Sequence, residues 1–294
     1  MQWQLSLIKV SAEIILGWEY IMITIDCSAL NVMVVGGTSG INRGIAELFA
    51  EHGASVAVAS RSQAKVDDTV ASLKALGAAK ALGFAADVRN YDDLQAGLES
   101  AAKAMGGFDV VVSGAAGNFP ALANEMSPNA FKSVIDIDLI GTYHVMRAIF
   151  PLLNKPGASV ISISAPQAQM PMIAQAHVSA AKAGVDMITR NLANEWGPSG
   201  VRINSIIPGP IAGTEGVARL APTPAAMKLC EKSVPLQRMG TTADIGNACL
   251  FLASPLASFI TGAVIPVDGG WLQGGVAAVA ATFNQLLQGE RPAS

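Results

Sequence analysis

From Asn31 onward the chain alternates short apolar runs with longer segments in which apolar residues recur at helical spacing. The runs are Val32–Val35, Val56–Ala59, Ala81–Phe84, Val110–Val112, Val160–Ile163, Ile203–Ile207 and Val264–Val267. They lack the polar alternation of a half-exposed strand, so they read as strands buried on both faces, and the spacing between them admits crossover helices. The pattern predicts an α/β fold, a single-domain Rossmann-like doubly wound parallel sheet. Two stretches depart from it. Residues 211–235 carry Gly213, Gly216, Pro222 and Pro224 directly after a strand and predict a mobile lid over a ligand crevice. After Gly270, the pair Gly274-Gly275 leads into an Ala-rich helical run to Leu287, expected to pack on a neighbouring subunit. The expected division is therefore an N-terminal extension over 1–30, with no assigned fold and with Met22 as a candidate start, a dinucleotide-binding domain over 31–275, and a C-terminal tail over 276–294.

Composition narrows the classes. Of 294 residues, 51% are hydrophobic and 14% charged, enough apolar surface for one large core. The net charge of −3, with Lys and Arg scattered, leaves no basic footprint for nucleic acid. Cys27, Cys230 and Cys249 are too few and too irregularly spaced for a disulfide framework or a zinc site, so no metal is expected and a reducing cytoplasm fits best. Lys9, Glu13, Glu19 and Asp26 interrupt the apolar start, which argues against an export signal and against the run of about 20 apolar residues that a membrane span needs.

Local chemistry concentrates behind the first strand. Val32–Val35 runs into Gly36-Gly37-Thr38-Ser39-Gly40-Ile41-Asn42-Arg43-Gly44, and Ile45, Leu48 and Phe49 then begin a helical stripe. Strand, glycine turn and helix together form a phosphate cradle: glycines let the backbone approach a pyrophosphate, and free amides at the positive helix end meet its charge. The second strand ends in Ser60-Arg61-Ser62, without the acid that commonly binds the adenosine ribose of NAD. Arg61, with Ser39 and Ser62, suits a 2′-phosphate and favours NADP(H) over NAD(H). Asp87, next to Val88, either accepts from the adenine amino group or caps the next helix with Asn90.

At this point the chain resembles the short-chain dehydrogenase/reductase family from Asn31 to Gly270. The resemblance rests on the Gly36 to Gly40 turn, on Ser113-Gly114-Ala115-Ala116-Gly117, on Lys182, on Pro208-Gly209-Pro210-Ile211 and on Val267-Asp268-Gly269-Gly270. It implies cofactor contacts at Gly36, Thr38, Ser39, Gly40, Ile41, Arg61, Ser62, Asp87, Val88, Ala115, Ala116, Gly117, Lys182, Pro208, Gly209, Ile211 and Thr214. Four motif positions are altered: Val35 and Asn42 replace the usual Thr and last Gly, and Ser113-Gly114 replaces paired asparagines. The family's Tyr, four residues before its Lys, is here Val178, and its Ser, thirteen residues earlier, is Ala165. Neither side chain can protonate an alkoxide, so ordinary carbonyl reduction is not expected.

One branch of the family lacks that Tyr. Ala115-Ala116-Gly117-Asn118-Phe119, Asp136-Ile137-Asp138, His177-Val178-Ser179-Ala180-Ala181-Lys182 and Glu195-Trp196-Gly197-Pro198 resemble 2,4-dienoyl-CoA reductases, most closely the peroxisomal type. The resemblance implies NADPH-dependent reduction of a dienoyl thioester. Asp138 and Lys182 would hold a water as proton donor, Asn118 would bind the thioester oxygen, and His177 would assist that oxygen or fix Asp138. Lys182 is expected to keep Asp138 ionised. Gln167, beyond the fifth strand, lies where the mitochondrial type places a Tyr, and Gln donates no proton. Met170 and Met172 are candidates for an acyl groove, and Arg219 and Arg238 for CoA phosphates. Family members form homotetramers through the fourth and fifth helices, and Ala174–Ala183 is compatible with close helix contact. Two other readings stay open: an atypical carbonyl or alcohol dehydrogenase such as a 3-oxoacyl reductase, and a catalytically silent NADP(H)-binding subunit.

Overall fold

The structure, a computed structural model, describes residues 9–14 and 21–275. The predicted tail packing after residue 275 lies outside them. Within the N-terminal extension, β1 (Lys9–Ile14) pairs antiparallel with β2 (Ile21–Asp26) as a separate two-stranded sheet.

The seven remaining strands form one parallel sheet: β3 (Asn31–Val35), β4 (Ser55–Ser60), β5 (Lys80–Ala85), β6 (Val110–Ser113), β7 (Ser159–Ile163), β8 (Arg202–Pro208) and β9 (Val264–Val267). Their order is β5-β4-β3-β6-β7-β8-β9, so the winding reverses between β3 and β6. That switch point leaves a crevice at the carboxyl ends of the strands.

Alternate residues of β3 show why its run is continuous. Val32 and Val34 pack into one core, and Met33 and Val35 into another on the opposite face. The first core takes α1 (Gly40–Glu51) and α2 (Gln63–Ala75). The second takes α3 (Tyr91–Met105) and the segment after β6, which runs from α4 (Pro128–Val134) through a wide π turn (Ile135–Ile140) into α5 (Gly141–Ile149). The long α6 (Ala176–Trp196) completes that face.

Residues 211–235 are mostly helical, as α7 (Glu215–Leu220) and α8 (Pro224–Ser233). Thr214, Thr223 and Pro224 are the start signals of these helices. The side chains of Thr214 and Thr223 cap the two helices, and Pro224 occupies the first turn, where its missing N–H costs nothing. Val217, Ala221, Cys230 and Val234 pack with Met172 and Trp271 as a small separate core. On the first face α9 (Thr242–Ala253) lies against α1. All three cysteines are buried and unpaired. Among the described residues no helix is long and apolar enough to cross a membrane, and no cluster of ligating side chains is spaced for a metal.

Candidate active site

A cleft of about 680 Å³ opens at the carboxyl edge, over the switch point. Every cofactor contact expected from the sequence lines it, from Gly36 and Thr38 through Arg61 and Ala115 to Ile211 and Thr214. Gly36 has φ +80°, and a Cβ there would lie 2.8 Å from the Ala115 amide nitrogen, so the turn after β3 abuts the turn after β6.

The two altered motif positions complement each other. Asn42 in the first turn of α1 donates from Nδ2 to the Gly114 carbonyl at 2.7 Å. A Cβ on Gly114 would fall 2.2 Å from Asn42 Oδ1. The side chain missing at Gly114 is thus replaced by the extra one at Asn42, and the strand ends stay tied.

A nicotinamide dinucleotide fits this cradle. The Ser39 hydroxyl at the α1 N-cap makes no capping bond, and the first-turn amides have no intrahelical acceptor. A Cβ on Gly40, at φ +52°, would meet nothing nearer than Thr214 Cγ2 at 3.9 Å, so the space before the helix is open. Arg61 and Ser62 line the far end, joined by Lys65 on the first turn of α2, which the sequence reading missed. Capping could have found it, since Lys65 lies in the first turn of the helix that Ser62 opens, its amide facing the Ser62 hydroxyl. Arg43 is withdrawn into ion pairs with Glu47 and Asp68. Asp87 does line the cleft, but its carboxylate binds Arg89, which holds it below the usual carboxylate range, and Asn90 alone caps α3.

At the other end the π turn places Asp138 over α6. Asp138 is 1% exposed; its Oδ1 accepts from the Gly117 amide at 2.7 Å. Its Oδ2 lies 3.5 Å from Lys182 Nζ, within ion-pair reach, and has no hydrogen-bond partner. Lys182 Nζ donates to the Ile163 carbonyl at 2.9 Å. Lys182 pulls Asp138 toward its ionised form, as expected, and burial opposes that pull. Burial raises the carboxyl above its ordinary value and outweighs the opposing pull of Lys182, the Gly117 amide and His177.

Val178 and Ala165 line the cleft where the family's hydroxyls would stand, and Asn118 lines it with a buried, unpartnered Oδ1. His177 does not line it. Its fully buried ring rests on Phe119, centroids 4.5 Å apart, with both ring nitrogens unpartnered, and burial lowers its pKa against the pull of Asp138. Met170 and Met172 back the lid helices rather than line the cleft. Arg238 is committed to a two-pronged pair with Asp244, and Arg219 pairs with Glu215 and reaches the Asn118 carbonyl. Asp186, one turn beyond Lys182 and also unmarked by the sequence reading, is buried and accepts from Ser205 Oγ at 2.8 Å.

A reversed parallel sheet that carries a glycine cradle at one end of its crevice and a buried lysine at the other defines a dinucleotide-dependent oxidoreductase. Residues 35–272 match the family described as enoyl-(acyl carrier protein) reductase, and the chain belongs to the short-chain dehydrogenase/reductase family. It is 41% identical over 241 residues to the peroxisomal 2,4-dienoyl-CoA reductase of Rattus norvegicus, covering 81% of this chain and 82% of that protein. The corresponding Arabidopsis thaliana protein is 41% identical over 251 residues, covering 82% and 84%. Among solved structures, a short chain dehydrogenase from Bacillus anthracis superposes with a TM-score of 0.73 at 34% identity, covering 83% of this chain and 96% of that one. An NADPH-bound short chain oxidoreductase from Pseudomonas aeruginosa, described as having an atypical catalytic center, gives 0.77 at 28% identity, covering 83% and 97%.

The complementarity of Asn42 and Gly114 can be tested by exchange. Gly114→Asn alone should cost about 1–3 kcal/mol in urea unfolding, the typical cost of overpacking, and should weaken NADPH binding. Adding Asn42→Gly should recover most of both losses. A double variant no better than Gly114→Asn would contradict the pairing.

Proposed function

We propose that this chain reduces 2,4-dienoyl-CoA, or a closely related unsaturated acyl thioester of fatty-acid β-oxidation, with NADPH. The observation that carries the reading is the buried Asp138–Lys182 pair standing beside Val178, where the family's tyrosine would be. When bound, the dinucleotide supplies a hydride.

Reduction of a ketone leaves an alkoxide that needs a proton at oxygen, and Val178 and Ala165 offer none. Reduction of a conjugated thioester spreads the charge toward the thioester oxygen, which needs only hydrogen-bond donors, while the proton goes to carbon. In this reading the Asn118 amide serves the first task and Asp138 the second. The Asp138 Oδ2 without a hydrogen-bond partner, 3.5 Å from Lys182 Nζ, lets the pair hold a water that gives the proton. Lys182 has three hydrogens; one goes to Ile163, one faces Asp138, and a third is left for a ribose hydroxyl. Ile211 and Thr214 bound the same end of the cleft, with Thr214 Oγ1 donating to the Ile211 carbonyl at 2.7 Å.

The preference for NADP(H) rests on Arg61 and Lys65 with the neighbouring serines, and on Asp87 being neutralised by Arg89. A homotetramer belongs to the same reading, supported by exposed Ile140, Tyr143 and Met187 on the π turn, α5 and α6. The position of His177 outside the cleft weighs against a carbonyl dehydrogenase in which it replaces the tyrosine. The Asn42–Gly114 exchange weighs against a decayed, silent subunit, because the altered motif still holds together.

Purified protein should consume NADPH with 2,4-dienoyl-CoA thioesters, yielding a product with one double bond fewer, and not with 3-oxoacyl-CoA or simple ketones. Turnover of the latter without turnover of dienoyl thioesters would overturn the reading. Arg61→Ala and Lys65→Ala should each weaken NADPH about tenfold while changing NADH little, as loss of a charge-assisted phosphate contact requires. Equal losses for both coenzymes would remove the 2′-phosphate assignment.

A further inference from the structure

The helix that carries Lys182 carries a second buried ionisable group that takes no part in proton delivery. Asp186 lies one turn beyond Lys182 on the same face of α6, and each is only 4% exposed. The strands beneath offer it hydroxyls where a helix-covered sheet ordinarily offers apolar side chains. Ser205 on β8 donates from Oγ to Asp186 Oδ1 at 2.8 Å, and Ser164, just beyond β7, turns toward it a buried hydroxyl with no other partner. Further along α6, Thr189 donates to Ser162 Oγ at 3.1 Å, so the polar seam runs from the Lys182 turn down between helix and sheet.

Among the described residues no cation is in ion-pair contact with Asp186. The charges that act on it are those of Arg190, exposed one turn further on, and of Lys182. Burial pushes its carboxyl up, and the two hydroxyls and these two cations oppose that push. A carboxylate without a contact partner is expensive to bury, and an apolar side chain would pack against the strands without that cost.

Lys182 has a matching deficit. Its Nζ donates to the Ile163 carbonyl, and Asp138, its ion-pair partner, stands off at 3.5 Å with Oδ1 taken by the Gly117 amide. A proton taken up by Asp138 would leave the buried ammonium without a counter-charge on the cleft side. Asp186 does not line the cleft, so neither cofactor nor substrate reaches it.

We propose that Asp186 is a positioning residue for Lys182: its carboxylate, fixed by Ser205 and Ser164, is a standing counter-charge that holds the ammonium with a hydrogen aimed at the dinucleotide ribose. Lys182 then stands between two carboxylates of different duty, Asp138 on the cleft side and Asp186 on the sheet side. The inference needs no acyl thioester and holds for any hydride transfer in this cleft.

The test is a double-mutant cycle on NADPH affinity, read by coenzyme fluorescence. Asp186→Asn keeps the shape and removes only the charge; it should weaken NADPH about tenfold, the lower end of what a charge-assisted hydrogen bond is worth. Asp186→Glu, which keeps the charge, should retain most of the affinity. In a Lys182→Met background, Asp186→Asn should change the affinity by less than about twofold, because two residues that act as one unit are not additive. Lys182→Gln serves if methionine there fails to fold. In that background Asp186→Asn should also raise the melting temperature, since it removes a buried charge that has lost its counterpart, whereas a purely packing role would lower it in both backgrounds. Equal weakening of NADPH in the two backgrounds, no weakening in the wild type, or a melting temperature lowered alike in both overturns the inference. None of these outcomes touches the acyl-thioester reading, which is decided by turnover.

Discussion

The arrangement depends on keeping a carboxylate and an ammonium group together at the floor of a cleft, nearly out of water. Such a pair is costly to bury, and mutual attraction rarely repays the desolvation unless further hydrogen bonds complete it. Here they are partly completed: the Gly117 amide takes one oxygen of Asp138, and the Ile163 carbonyl takes Lys182. The other carboxylate oxygen is left open. Three separate elements converge to make this possible: the turn after β6, the end of β7 and the π turn that sets Asp138 opposite α6. Burial raises the carboxyl above its ordinary value, and the open oxygen is the point at which the pair can hold a water.

Much of this was legible before any coordinates. The seven strands were readable because a strand covered by helices on both faces leaves a continuous apolar run, and Val32 to Val35 serve two cores at once. The glycine cradle was readable from its neighbours, strand before and helix after. Asp138, Lys182 and Asn118 were readable through family resemblance, and they do share the cleft.

What was not legible depended on contacts distant in sequence or on the dielectric. Asn42 and Gly114 looked like two separate defects, since nothing in the linear order reveals that one side chain fills the space vacated by the other 72 residues away. The upward pull of burial on the Asp138 carboxyl was not legible, because a partner can be read from a motif while burial cannot. The contact of the His177 ring with Phe119 was likewise not legible, since the two residues lie far apart in the sequence. The two helices within 211–235 were hidden because Thr and Pro terminate some helices and start others, and only the capping bonds distinguish the two. Gln167 was read only as no proton donor; that its buried amide is left nearly unbonded is something no sequence displays.

The relatives and the geometry converge from different directions. The former carry the names of dienoyl-CoA reductases and of an oxidoreductase with an atypical catalytic center. The latter shows a cleft built to bind a dinucleotide but stripped of the phenol and hydroxyl used on ketones. The central claim is that Asp138 takes over proton delivery. The most direct measurement is single-turnover NADPH oxidation with a 2,4-dienoyl-CoA by Asp138→Asn beside the wild type, with NADPH dissociation constants measured on both. A rate lower by about 10²–10⁴, the range expected for loss of a general acid, with cofactor affinity unchanged, is the predicted result. An undiminished rate, or a loss fully accounted for by weaker NADPH binding, would contradict it.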